Sequence, residues 1–401
     1  MSETIIFYEK HNAVINATLS DNKLTNILID EKENVFKVGN VFIGHVNKVI
    51  AHLNAAYVDI GLEKPCYMEL KQDASYLTAN HHPDNRIHAG DDLVVQISKD
   101  PIKTKPATVS PEITITRRLV ILSYSPKDKS IRFSSKIKNS ELKKTLTDKF
   151  NAEVPKDYSL LFRTNCENAT VTDIESDYKK ALTELDRIVA YASTRTKGTL
   201  VWESDPKFLQ TIKDGVKLEC DNLITDSVDI YVKLKDYLAD NQPELLDKLT
   251  FRKNEDYPVE KLFDMKKHLK DIINQNVWLK SGAQVVIQPT EALVSIDVNS
   301  AKASAELKNF KDGFMQINIE AAREIRRQLI LRNLSGVIIV DFINDRNHSR
   351  KELLEKVKEI FKSDNDIKVE DITKLGLIEI TRMRKLSTTE EKIKKHHLLE
   401  D

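Results

Sequence analysis

Cysteine is scarce. Cys66, Cys166 and Cys220 are the only three in 401 residues; they stand far apart and form no CxxC pair. So spaced, they make neither a disulfide framework nor a zinc site, and a reducing compartment suits them. An excess of one charge sign is missing too. Lys plus Arg and Asp plus Glu number 62 each, so the chain lacks the basic footprint of a protein coated in nucleic acid, although local basic patches can hide in balanced totals. No uninterrupted apolar run approaches the ~18 residues that span a bilayer. The opening "MSETIIFYEKHNAV" has no basic segment followed by an apolar core. The expectation is a cytoplasmic protein without signal peptide or transmembrane segment. Glycine-rich phosphate loops, HExxH and GxSxG are absent, which counts against nucleotide-driven enzymes, zincins and nucleophile-elbow hydrolases.

What remains is an ordinary soluble composition, 40% hydrophobic and 31% charged, long enough for two to four domains. The first thirty-five residues read as three short strands, "ETIIFYE", "NAVINATL" and "LTNILIDE", a meander too small to stand alone. Next come "VGNVFIGHVNKVI", "NAAYVDIG", "PCYMEL" and "DDLVVQISKD", short strands that suggest a small β-barrel. Alternation puts Ala56, Val58 and Ile60 on one face, with Tyr57 and Asp59 on the other, where a tyrosine can stack bases or simply cover its neighbours. Two helices, "NSELKKTLTDKF" and "ESDYKKALTELDRIVAYAST", flank the strand "YSLLFRTN". That strand ends in Arg163 and Thr164, a forked donor beside a hydroxyl, which can grip an anion. "SVDIYVKL" reads as a strand and "KDYLADNQ" as a short helix.

The last third alternates most clearly. "EKLFDMKKHLKDIINQNV" has helical spacing, and "AQVVIQ" with "EALVSIDVNS" forms a hairpin. Then follow a long helix, the strand "GVIIVDFIN", the helix "SRKELLEKVKEIFKS" and the strand "GLIEITRMR". This order predicts an α/β sheet covered on both faces. The charged tail "KLSTTEEKIKKHHLLED" is either a helix end or disordered.

Two aspartates interrupt these strands. In "VSIDVNS" the period of two places Ser295, Asp297 and Asn299 together on one face, opposite Val294, Ile296 and Val298. Asp341 follows an apolar run, with Asn344 and Asp345 in the adjoining turn. Unpartnered burial of a carboxylate is costly. Either each acid caps a turn or pairs with a base, or both sit at strand carboxyl ends around one cation, where α/β domains gather their functional groups. Mg²⁺ takes such oxygen ligands while keeping waters, and it activates phosphodiesters toward hydrolysis.

Four segments together resemble the ribonuclease E/G family of endoribonucleases: "VWLKSGAQVVIQPTEALVSIDVNS", "NIEAAREIRRQLILRNLSGVIIVDFIND", "GLIEITRMR" and "VGNVFIGHVNKVIAHLNAAYVDIG". The resemblance implies an α+β, multidomain fold. Residues 1–35 and 214–276 would form an RNase H-like subdomain. Inserted in it would be an S1 (OB-type) barrel, 36–125, and a 5′-sensor region, 126–213. Residues 277–401 would be a DNase I-like catalytic domain. By the same resemblance Asp297, Asn299 and Asp341 are catalytic: the two aspartates bind Mg²⁺, and Asn299 helps fix the first of them and the scissile phosphate. Tyr57 and Tyr67 hold RNA, Lys99 and Lys105 meet its backbone, and Arg163 and Thr164 bind a 5′-monophosphate. Mn²⁺ accepts the same ligands as Mg²⁺.

The implied activity is hydrolysis of single-stranded, AU-rich messenger RNA and ribosomal RNA precursors to 5′-phosphate and 3′-hydroxyl ends. Three departures qualify it. No cysteine follows Cys220, so no zinc is expected and a zinc-linked dimer is not, though another homo-oligomer remains compatible. Asp366 stands where some members carry a sensor arginine, and Pro106 follows Lys105 where glycine is usual. Without a long scaffold tail, the compact ribonuclease G type is favoured. The alternatives are a non-catalytic RNA-binding protein that keeps the fold and, more weakly, a phosphate-binding structural protein.

Overall fold

The computed structural model describes every residue except 1–2, 33, 71–75, 79–85, 102–104, 125–128, 193–195, 216–219, 253–256, 304–311, 345–348, 365, 384–386 and 401. The chain divides into two compact units, Met1–Lys32 with Lys217–Asp401, and Glu33–Val216.

The chain opens with the antiparallel meander β1 (Glu3–Lys10), β2 (Ala13–Ser20) and β3 (Lys23–Glu31). It then enters the second unit through β4 (Val41–Ile50), β5 (Ala55–Asp59), β6 (Cys66–Glu69), β7 (Asp92–Lys99) and β8 (Thr108–Ser110). These five close on themselves in the order β4-β5-β6-β8-β7, with β7 pairing back to β4. The expected small barrel is therefore present. Ala56, Val58 and Ile60 fill its interior, as their alternation predicts. Space there is tight: a Cβ on Gly44 would lie 2.4 Å from a Val58 methyl, so only glycine lets β4 bend across the interior.

The second unit continues with β9 (Ile113–Thr116), β10 (Val120–Tyr124), β11 (Ser130–Phe133), helix α1 (Ser140–Glu153) and β12 (Tyr158–Phe162). The helix α2 (Val171–Ala192), the strand β13 (Leu200–Trp202) and the helix α3 (Lys207–Gly215) end it. Strands β11-β12-β10-β9 form a four-stranded sheet whose core includes Leu146 and Phe150 of α1 and Ile174, Tyr178, Ala181 and Leu185 of α2.

Back in the first unit, β14 (Asn222–Thr225) pairs in parallel with β1, and β15 (Leu249–Phe251) with β14. The N-terminal meander thus becomes a five-stranded sheet, β15-β14-β1-β2-β3. Between β14 and β15 the sequence reading of "SVDIYVKL" fails. The segment is helix α4 (Val228–Asn241), capped by Ser227, whose hydroxyl accepts from the Ile230 N–H. Its β-branched residues suggested a strand, but Ile230, Leu234 and Leu238, four apart, are the ones buried. Helices α5 (Val259–Leu262) and α6 (Met265–Ile273) follow, split at Asp264, where φ is +49°.

The remaining sheet is assembled from β16 (Asn276–Trp278), β17 (Gln284–Pro289), β18 (Val294–Asn299), β19 (Gly336–Asp341), β20 (Ile367–Ile372) and β21 (Ile378–Arg382). Its order is β16-β17-β18-β19-β21-β20. The helices are α7 (Gly313–Leu331), α8 (Arg350–Phe361) and α9 (Thr389–Lys395). The expectation of a sheet covered on both faces is corrected here. Burial alternates along β18, with Val294, Ile296 and Val298 buried and Ser295, Asp297 and Asn299 exposed. One face packs on Ile317, Ala321 and Ile325 of α7 and on Leu353, Leu354 and Val357 of α8; among the described residues no helix covers the other. A doubly covered strand would have been apolar at every position, and the aspartate was the sign that this one is not.

The tail resolves into α9. Thr388 and Glu391 form a capping box, and Ile393 and Leu398 are buried against the core of the N-terminal sheet. No described helix is long and apolar enough to cross a membrane.

Candidate functional site

Strands β18 and β19 run parallel, in a register that sets Asp297 directly beside Asp341. Neighbouring strands are about 4.8 Å apart, and side chains at one register share a face, so the two carboxylates reach one point. Both residues are exposed, and both lie toward the carboxyl ends of their strands. Asn299, one pleat on, donates from Nδ2 to Asp297 Oδ2 at 2.5 Å and fixes that carboxylate. Among the described residues neither acid is ion-paired to a lysine or arginine, and no third His, Cys, Asp or Glu completes a metal-binding cluster. The turn-cap and base-pairing explanations of these acids thus lose ground. Two hard carboxylates and one amide oxygen suit a divalent cation that takes oxygen ligands and retains waters.

The surroundings hold this arrangement still. Asn318, fully buried on α7, donates to the Ile343 carbonyl at 2.8 Å and accepts from its N–H at 3.0 Å, anchoring the chain just after Asp341. The sequence reading passed over Asn318; its signal was an amide between the apolar positions Ile317 and Ile319 of a long helix. On the other side, Gly282 adopts φ +84°, and a Cβ there would lie 2.8 Å from the Lys302 carbonyl. That close approach lets the turn after β16 dock on the turn after β18, where the Lys302 N–H donates to the Gly282 carbonyl. Asp345 lies outside the described residues.

In the barrel, Tyr57 and Tyr67 are direct cross-strand partners on the outer face, their rings edge-to-face at 6.3 Å. The row continues on both sides. Lys48 pairs with Tyr57, Tyr67 with Thr108, and Thr108 with Lys99. Lys48 and Lys99, both exposed, therefore bracket the two tyrosines. Lys48 was missed by the sequence reading, although it occupies an outward position of the "VNKV" stretch. Lys105 is exposed but stands outside this row.

Arg163 and Thr164 follow β12 directly. Arg163 Nη1 donates to the Arg117 carbonyl at 2.8 Å, and Thr164 Oγ1 lies 2.9 Å from Ser134 Oγ. Arg117 itself is held by Asp177 and Glu184, and Asp177 also accepts from the Leu119 N–H. This buried carboxylate thus orders the backbone on which Arg163 rests. Burial lifts the Glu184 carboxyl above its usual range, against the pull of Arg117. The three cysteines are buried, and burial pushes Cys66 and Cys220 to about 11 and Cys166 to about 12, which removes thiolate chemistry from consideration.

The sequence profile of the Ribonuclease E/G family matches residues 114–385. Ribonuclease G of Salmonella typhimurium (strain SL1344) is 28% identical over 370 residues, covering 88% of this chain and 74% of the relative. Ribonuclease G of Escherichia coli (strain K12) is 28% identical over 364 residues, covering 86% and 73%. Ribonuclease E of Buchnera aphidicola subsp. Schizaphis graminum (strain Sg) is 26% identical over 396 residues, 95% of this chain but 40% of that protein. With the profile spanning most of the chain, and an acid pair, a closed barrel and a strand-end arginine in the order the motifs implied, the chain belongs to the ribonuclease E/G family.

Proposed function

We propose that this chain is an endoribonuclease that hydrolyses single-stranded RNA, with Asp297 and Asp341 at the point of cutting. The observation that carries the reading is the shared register of two exposed carboxylates that no described cation neutralises. The ribonuclease names of the relatives support RNA as the substrate.

Asp297 and Asp341 would hold Mg²⁺, or Mn²⁺ in its place. When bound, such an ion polarises a phosphoryl oxygen and acidifies water. Asn299 keeps the Asp297 carboxylate aimed, and Asn318 keeps Asp341 from drifting with its loop. The products would be 5′-phosphate and 3′-hydroxyl ends. On the barrel, Tyr57 and Tyr67 would stack unpaired bases while Lys48, Lys99 and Lys105 meet phosphates, a combination that selects single strands without strict sequence choice. AU-rich messenger RNA and ribosomal RNA precursors, which unpair easily, are the substrates this suits. Arg163 and Thr164 would receive a 5′-monophosphate. The N-terminal sheet with β14 and β15 would be the RNase H-like part, residues 126–213 the 5′-sensor region, and the C-terminal sheet the DNase I-like part. Residues 126–213 supply β11 and β12 of the four-stranded sheet, whose β9 and β10 precede residue 126. A cytoplasmic location accords with this role.

The test is cleavage of a short AU-rich single-stranded RNA, with a 5′-monophosphate or a 5′-hydroxyl, in Mg²⁺ or EDTA, by wild type and Asp297→Asn. Cutting that needs the metal and disappears in the variant is expected. Binding without cutting under every metal condition would leave a non-catalytic RNA-binding protein.

A further inference from the structure

The open face of the C-terminal sheet carries one aromatic side chain among its strands, Trp278 on β16, and it is 54% exposed. Its register is informative. Trp278 pairs with Gln284, and Gln284 pairs with Asn299. The indole therefore stands on the face that bears Asp297 and Asp341, in the same cross-strand row as the asparagine that fixes the first acid. Two strand spacings put its backbone about 10 Å from that of Asn299. Lys302 Nζ lies 5.4 Å from the indole centroid, and Lys302 belongs to the turn that directly follows Asn299. Both residues are on tied backbone. Leu279 N–H donates to the Ala283 carbonyl, Lys302 N–H to the Gly282 carbonyl, and Glu320 of α7 accepts from the Lys280 N–H at 2.8 Å.

Trp278 leaves a large aromatic ring in solvent at the end of a braced strand. A ring beside an ammonium group has a use next to a phosphodiester: the ring stacks a base and the cation meets its phosphate. We infer that Trp278 and Lys302 form a nucleobase-binding subsite for a nucleotide flanking the scissile phosphate, with Trp278 as the stacking platform and Lys302 as the phosphate contact. The inference rests on the endoribonuclease reading and adds to it a positioning role outside the barrel. The subsite sets where the strand lies over the acid pair, so its loss misplaces the scissile bond as well as weakening binding.

The experiment uses the full chain and a short fluorescein-labelled single-stranded RNA with one cleavage position. Binding is measured in the Asp297→Asn background, cleavage in the otherwise unaltered protein. Trp278→Ala should weaken binding about tenfold and spread cleavage to neighbouring positions, while Trp278→Phe restores most of both. An abasic nucleotide placed in turn at each flanking position provides a double-mutant cycle. At one position the abasic RNA should cost wild type the same tenfold and cost Trp278→Ala nothing further. Equal abasic losses in both proteins at every position would overturn the subsite. So would an unchanged affinity and cleavage pattern in Trp278→Ala, or a change in the protein's mass by light scattering in place of a change in RNA binding, which would mark the ring as a contact between copies of the chain. Failure of Asp297→Asn to stop cleavage would instead refute the underlying endoribonuclease reading, whatever Trp278 does.

Discussion

The first unit holds acidic groups in two opposite situations. Glu324, on α7, is 7% exposed and saturated: Lys23 Nζ donates to it at 2.8 Å, Gln328 Nε2 at 2.8 Å, and Arg327 through two nitrogens. Arg327 also donates to the Leu24 carbonyl, so the cluster joins α7 to the N-terminal sheet. Asp297 and Asp341 are exposed, side by side, and without a described cation. A carboxylate that serves the fold is given its counter-charges by the chain. One kept in solvent beside another of the same sign has its counter-charge left to something that arrives later. Like charges directly opposite on a sheet are destabilising, so the pair persists at a small cost to stability.

Breaking either side of the contrast should give opposite phenotypes. The largest effect expected is on turnover. Asp341→Asn should lower cleavage by about a hundredfold or more while unfolding at the same or a slightly higher temperature in EDTA, because one repulsion is gone. Mg²⁺ should raise the melting temperature of wild type by mass action and leave that of the variant unmoved; thermal melts with and without Mg²⁺ check this. Glu324→Ala should do the reverse. Stranding Arg327 beside an empty site should cost about 3–4 kcal/mol, read from urea midpoints, with the cleavage rate per folded molecule retained.

The contrast sharpens with pH. Burial alone would raise the Glu324 carboxyl, but the hydrogen bonds from Arg327, Gln328 and Lys23 outweigh it and hold it below the usual glutamate range. Its contribution to stability is then complete above the unfolded-state value of about 4.3 and is lost as pH falls through the lowered native value. Urea midpoints of wild type should drop more steeply than those of Glu324→Gln below about pH 4. Smaller effects belong to the barrel. Tyr57→Ala should weaken RNA binding by about 1–3 kcal/mol. Lys48→Ala should reduce the slope of log affinity against log salt by about 0.7, as titrations at several ionic strengths would show.

Sequence pattern alone carried the barrel and the acid pair a long way. The period of two in "AAYVDI" and "VSIDVNS" assigned faces correctly, because one-sided burial leaves a readable alternation. It failed where two signals competed. In α4 the β-branched residues outvoted a helical spacing that packing then enforced. Strand β20 went unrecognised because Lys368, Glu370 and Asp371 interrupt its apolar positions. Lys48 and Asn318 left a local trace but not their roles, which lie in cross-strand register and in a bond to a distant backbone.

The pairing of β1 with β14 has a temporal meaning. Thr4 lies beside Asn222, 218 positions later in the chain. At about 5–20 residues per second of synthesis, the parallel partner of β1 emerges about 10–40 s after β1 itself. Through that interval the N-terminal meander exists as a half-built sheet with the β1 edge open, a template for wrong pairing, while the intervening residues have time to fold as their own unit. Loop-closure entropy grows only logarithmically with length, so the long wait costs little at equilibrium. Until β14 arrives, the growing chain carries at β1 an unpaired strand edge that the folded protein does not have.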